Sequence, residues 1–200
     1  MLFKLVRIIL LALLCFLSFH IVLRSKISKK KLATTMAIVA SFVVITATGM
    51  FPPENAFITF ETPKAVFDYY QIGDFEAVIE GENSALVYYN TDAHTHGFCI
   101  IPKSLSGYKI PNHFFRQRYA HKLYPAGVFD IYRARNTNDY YILAIITSDT
   151  SERMQVFDKN GQLVETYGEH IGDGYAQVTY VHNFSSGFYT IIAGEVLILG

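Results

Sequence analysis

The 200-residue sequence predicts a mainly β domain, an antiparallel sandwich, barrel or curled sheet with one short helix, preceded by a two-helix transmembrane hairpin. Three observations predict it. First, the formal charge is zero, 17 basic against 17 acidic residues, but the signs are segregated. Residues 1–50 hold seven Lys and Arg and no acid; residues 51–200 hold 10 basic and 17 acidic residues, so +7 is followed by −7. That asymmetry excludes one globular domain running from end to end. Second, the first fifty residues contain two long uncharged apolar runs. Third, all 14 Tyr, all 6 Pro and 12 of the 13 Gly follow residue 50, so turns and half-buried aromatics belong to the second part. Its length suits one ordinary core, and 51% hydrophobic residues overall argue against disorder.

The apolar runs span about 5–23 and 32–50, each close to the roughly 20 residues that a helix needs to cross a bilayer. The 24–31 link carries five positive charges. The positive-inside rule places it in the cytoplasm and the following domain outside, making the chain a two-span protein of the cytoplasmic membrane with the lipid bilayer as its first partner. Two alternatives involve processing: residues 11–15 resemble a lipobox ending at Cys15, and 29–49 have signal-peptide grammar. Leu14 before Cys15 is too large for the first, and the second leaves the earlier apolar run unexplained. Cys15 and His20 read as packing residues of the first span. Ala33, Ala37 and Ser41 recur at four-residue spacing, a small-residue face for helix packing. One Cys in each part, Cys15 and Cys99, predicts no intrachain disulfide.

Residues 51–56, with paired prolines, read as a linker, and 57–200 as the β-rich domain. A helix is expected over 64–71, with Thr62 as N-cap, Pro63 in the first turn, Gly73 as stop, and Ala65, Val66 and Tyr69 on one stripe. Beyond it the apolar period becomes two. Strands are expected at 75–80, 84–90, 96–101, 114–123, 128–135, 140–147, 154–157, 162–167, 176–182, 188–193 and 196–199. The stretch 140–146 is apolar throughout and predicts a central strand covered on both faces. The turn 158–161, Asp-Lys-Asn-Gly, is the clearest hairpin signal. The apolar end at 196–199 reads as a buried strand whose removal unfolds the domain.

Catalytic and cofactor motifs are missing: there is no G-x-S-x-G, H-E-x-x-H, Walker loop or G-x-G-x-x-G, so no cofactor is expected. Ser104-Leu105-Ser106-Gly107 lacks the leading glycine of a nucleophile elbow, and Cys99 reads as a buried thiol. Glu80 and Glu82 read as solvated hairpin charges. His94 and His96, two apart in a strand, are the one metal-like pair, with Asp92 as a third candidate ligand; no metal site is assigned.

The strongest functional lead is the charge map. Residues 109–135 are net +5 between two flanks of net −6 each. Arg116 and Arg118 are two apart in one expected strand, and Arg133 and Arg135 in the next. Pairing across Tyr124-Pro125-Ala126-Gly127 would gather four guanidiniums on one face, suited to phosphate or carboxylate. The competing reading is that they pair with the domain's own acids. Interleaved aromatics suit single-stranded nucleic acid, but the domain's −7 and its expected compartment exclude that partner.

The two basic-linked spans and exported domain, with 60–67 (Phe-Glu-Thr-Pro-Lys-Ala-Val-Phe) and 78–87 (Val-Ile-Glu-Gly-Glu-Asn-Ser-Ala-Leu-Val), resemble membrane-anchored envelope proteins of Gram-positive bacteria. The resemblance covers about 35 residues and implies no activity and no site. The expectation is a non-enzymatic binding or assembly module of the envelope, taking an anionic envelope polymer. The alternatives are an accessory or sensory subunit docking a membrane protein through its spans, and a hydrolase or metal enzyme with dispersed site residues.

Overall fold

The computed structural model describes residues 52–70, 73–92, 95–112, 114–146, 154–164, 167–171, 176–192 and 194–200, with scattered helical positions at 9, 12–13, 16–17, 20, 31, 34–36, 38–40 and 42–43. The expected placement by two membrane spans is corrected. A span needs about 20 consecutive helical residues, and among the described residues no helix is long and apolar enough to cross a membrane. Most of 5–23 and 32–50 lies outside the described residues, as do Cys15, Ala33, Ala37 and Ser41.

From residue 52 onward the fold is antiparallel β, as its period-two pattern predicts. A four-stranded sheet contains β1 (Asp74–Glu80), β2 (Ser84–Asp92), β3 (Thr95–Ser104) and β4 (Gly107–Tyr108) in sequence order. A five-stranded sheet has the order β5 (Arg116–Tyr124), β6 (Gly127–Ala134), β7 (Asp139–Ile146), β10 (Ala176–His182), β9 (Tyr167–Ile171). A small third sheet joins β12 (Glu195–Ile198), β11 (Tyr189–Ile192) and β8 (Val156–Phe157).

Alternation of side chains stacks these sheets. On β2 and β3, Ala85, Val87 and Ile101 face outward onto helix α1 (Pro63–Tyr70), where Val66, Phe67 and Tyr69 cover them. Leu86 and Ile100 face inward, with Ile79, onto Ala134, Tyr141, Val178 and Tyr180 of the five-stranded sheet. The opposite face of that sheet presents Phe129, Ile131, Tyr140, Ile142 and Val181 to Phe184, Phe188, Leu197 and Leu199. The strand β7 is therefore central and packed on both faces, because a strand with apolar residues at both parities has two faces to bury.

Local chemistry sets the ends of these elements. Thr62 caps α1 by accepting the Ala65 N–H at 3.1 Å, with Pro63 in the first turn. Phe67 is buried where Ala65 is only partly so. The expected linker carries a 3-10 turn, Pro53–Ala56, with Glu54 buried. Asn55 fixes that turn to the domain, its side chain exchanging two 2.8 Å hydrogen bonds with the Ile110 backbone. Lys109, a member of the basic band, donates to the Asn55 and Ile58 carbonyls at 3.1 and 2.9 Å, so its charge serves this junction.

The turn at 158–161 forms: Asp158 Oδ1 accepts the Asn160 and Gln162 N–H groups at 2.8 and 2.9 Å, and these bonds hold its carboxyl below the usual range. Its second arm is shorter than expected. Leu163 makes a single bridge to Phe157, and the next strand begins at Tyr167. The C-terminal strand is an edge and not a fully buried strand: Leu197 and Leu199 are buried, while Val196 and Ile198 are exposed.

Candidate functional site

β5 and β6 form the expected hairpin across Tyr124 and Gly127, with β5 at the edge of its sheet. Register decides where the arginines go. Directly opposed residues of an antiparallel pair project to the same face. Arg116 opposes Ala134 and Arg118 opposes Tyr132, whereas Arg133 opposes Gln117. Arg116 and Arg118 therefore share the face directed at the first sheet, and Arg133 lies on the other. Arg135 follows the end of β6, where its N–H donates to the Phe115 carbonyl at 2.8 Å. The four do not gather on one face. Period two was right within β5; the hairpin register puts Arg133 out of phase.

The four differ in what answers their charge. Arg118 is paired: its Nε donates to Asp130 Oδ1 at 2.9 Å, and a second guanidinium nitrogen bonds the same oxygen. His121 Nδ1 lies 2.8 Å from both Asp130 and Arg118. The hydrogen bond to Asp130 pushes the Arg118 pKa up. Arg133 donates from Nε to the Thr137 carbonyl at 2.9 Å and stacks 5.5 Å over the Tyr140 ring, so it shapes the β6–β7 turn. Arg116 stands over the Phe98 and Tyr132 rings at 4.7 and 5.5 Å, with a 3.5 Å hydrogen bond to the Phe98 carbonyl. Aromatic faces hold a guanidinium in place without neutralising it. Arg116 and the exposed Arg135 line one open depression with Phe114 and Gln117. Among the described residues neither guanidinium pairs with a carboxylate.

His94 lies outside the described residues. His96 is exposed, stacks on Tyr88 at 5.5 Å and sits 3.6 Å from Glu76. Among the described residues no three His, Cys, Asp or Glu side chains come together around a metal position. Burial pushes the Cys99 thiol up to about 12, against a smaller lowering by Arg116, so the thiolate is scarce at neutral pH. Glu80 is exposed but engaged, accepting the Tyr108 hydroxyl at 2.6 Å.

A second polar feature went unread in the sequence. Asp139 opens β7 and its side chain is fully buried between the first two sheets. Its carboxylate accepts the Asn83 N–H at 2.8 Å, the Ser84 hydroxyl at 2.7 Å and the Tyr180 hydroxyl at 3.0 Å. Ser84 also meets the Tyr141 hydroxyl at 2.9 Å, and Tyr180 accepts the Glu82 N–H at 3.2 Å. His182 Nδ1 stands 3.4 Å from Asp139, outside normal hydrogen-bond length. Burial pushes both phenols up, Tyr141 well above the ordinary range, with the Asp139 charge adding to each. Ser84 is fully buried and bonds the carboxylate and a phenol, so the cluster is a clamp between turns. A signal existed: an acid directly before an apolar strand, and a Gly-Glu-Asn-Ser turn. Gly81 fits there because a Cβ would lie 2.6 Å from the Tyr180 ring.

No family model matches the chain, and the searches of curated proteins and solved structures gave no match.

Proposed function

We propose that this protein is a binding module that takes an anionic ligand at the open end of the β5–β6 hairpin, with Arg116 and Arg135 as the anion-holding side chains. One observation carries the reading: these two guanidiniums line one depression and have no carboxylate partner among the described residues. Arg116 is held by two rings, so less side-chain freedom is lost on binding. Guanidinium offers paired donors that match a phosphate or carboxylate. Phe114 and Phe115 beside it supply apolar surface for the rest of the ligand. Arg118 and Arg133 are support, the first balanced by Asp130 and the second tied into its turn.

The test is retention of the folded protein on immobilised polyphosphate. The double substitution Arg116→Gln with Arg135→Gln is expected to lower affinity tenfold or more, and Arg118→Gln to change it less than threefold. Added salt should weaken wild-type retention. Equal effects of the double variant and Arg118→Gln, with circular dichroism unchanged, would sink the assignment.

A further inference from the structure

We propose that the groove at the end of the seam between the first two sheets is a saccharide site, and that the anionic ligand is an acidic saccharide polymer. This rests on the anion-binding reading for the acidic part of the ligand, and adds the part that carries hydroxyls. The groove is open, about 540 Å³, within the roughly 300–1,000 Å³ of small-molecule sites. Three asparagines line it: Asn83 from the β1–β2 turn, and Asn136 and Asn138 from the β6–β7 turn. All three are exposed, and among the described residues their side-chain amides bond to no other group. Phe115, Lys103 and Arg133 also line the groove, and among the described residues no carboxylate does.

Two turns far apart in sequence bring these amides together because one buried group fixes both. Asp139 terminates the β6–β7 turn and accepts the Asn83 N–H and the Ser84 hydroxyl of the other turn. Asn136 holds a left-handed backbone, φ 62°, which asparagine tolerates better than most residues. The two turns that carry the amides are thus held in place before any ligand arrives, which lowers the cost of binding.

The amide chemistry selects the ligand. An internal unit of polyphosphate presents only acceptors at neutral pH and satisfies the NH2 half of each amide, leaving the carbonyl half unused. A sugar hydroxyl both donates and accepts, so vicinal hydroxyls engage both halves. The half-buried Phe115 offers an apolar surface for the C–H face of a sugar ring. Arg116 directly follows Phe115, and Arg135 is two residues beyond Arg133, so a following acidic unit of the same polymer is assigned to the depression that these two arginines line.

Calorimetric titration of the full chain compares polygalacturonate, which has hydroxyls and carboxylates, with polyphosphate, which has charge alone. Wild type is expected to bind polygalacturonate tenfold or more tightly per charge. Asn83→Ala with Asn138→Ala should cut polygalacturonate affinity at least tenfold and leave polyphosphate within twofold. Asn136→Asp, which keeps the left-handed turn and adds a carboxylate, should also weaken polygalacturonate. Arg116→Gln with Arg135→Gln should weaken both polymers. The saccharide site is overturned if wild type prefers polyphosphate, or if the asparagine variants affect both polymers equally or neither; in each case retained polyphosphate binding leaves the anion reading standing. Wild type that binds neither polymer overturns both.

Discussion

The two faces of the five-stranded sheet are built on different principles. The face toward the third sheet packs Phe129, Ile131, Ile142 and Val181 against Phe184, Phe188, Leu197 and Leu199. Apolar burial of this kind is strong and non-directional. The face toward the first sheet has its own apolar centre, with Leu86 and Ile100 against Tyr141 and Val178. It ends, however, in a buried carboxylate with three close donors. Hydrogen bonds have preferred lengths and angles, so this end fixes where two turns stand. The lesson is a division of labour: the apolar seam holds the sheets together, and the polar seam sets the geometry of the groove at its mouth.

The largest expected effect breaks the apolar seam. Deleting residues 197–200 removes the fully buried Leu199 and the nearly buried Leu197. Each such leucine contributes about 2–5 kcal/mol by comparison with Leu→Ala substitutions, against a typical total of about 5–15 kcal/mol. The truncated chain is expected to be unfolded at 25 °C by circular dichroism. A cooperative thermal transition within about 5 °C of the full chain would show that the third sheet does not carry the fold.

The next largest breaks the polar seam. Asp139→Ala leaves the Asn83 N–H and two hydroxyls buried without their acceptor, at a cost of about 3 kcal/mol. Asp139→Asn keeps the shape but turns an NH2 toward donors, and is expected to recover less than half of that. Urea unfolding measures both. Both variants should also bind polygalacturonate more weakly, which deletion of apolar contacts in the other seam, short of unfolding, should not produce.

How much of this was legible follows the same division. The central strand at 140–146 and its two covered faces could be read from an apolar run with no alternation, and the flanking strands from period two. The cap of α1 was equally readable, because Thr62 and Pro63 act within one turn. What failed depended on register. Arg133 and Arg135 looked like one face with Arg116 and Arg118, but the pairing of Gln117 with Arg133 puts Arg133 out of phase, and Arg135 meets Arg116 only beyond the end of β6. The bulge between Arg118 and Ala120 has no strong local signature either. The Asp139 clamp joins positions 55 and 56 residues apart, beyond what spacing can reveal. Its turn residues were visible; that they face each other was not. The membrane placement was drawn from two apolar runs, and the described helical positions supply no span.

The smallest expected effect sharpens the comparison through pH. Tyr141 and Tyr180 lie on the polar seam, and burial raises both pKa values above the ordinary phenol value of about 10. The folded state therefore keeps protons that the unfolded chain releases above that pH. Stability from these groups is present below about pH 10 and falls as pH rises above it. Tyr141→Phe loses the hydrogen bond to Ser84, costing about 1 kcal/mol at neutral pH, and removes one titrating group. Its stability should then fall less steeply between about pH 10 and pH 11, by up to about 1.4 kcal/mol per pH unit. In the apolar seam, Ile142→Leu should lower stability by less than about 1.5 kcal/mol and leave the slope unchanged. Urea titrations at about pH 8, 10 and 11 read both quantities. A Tyr141→Phe slope identical to wild type would mean that its phenol is not held protonated by the fold, and that the two seams respond alike to alkali.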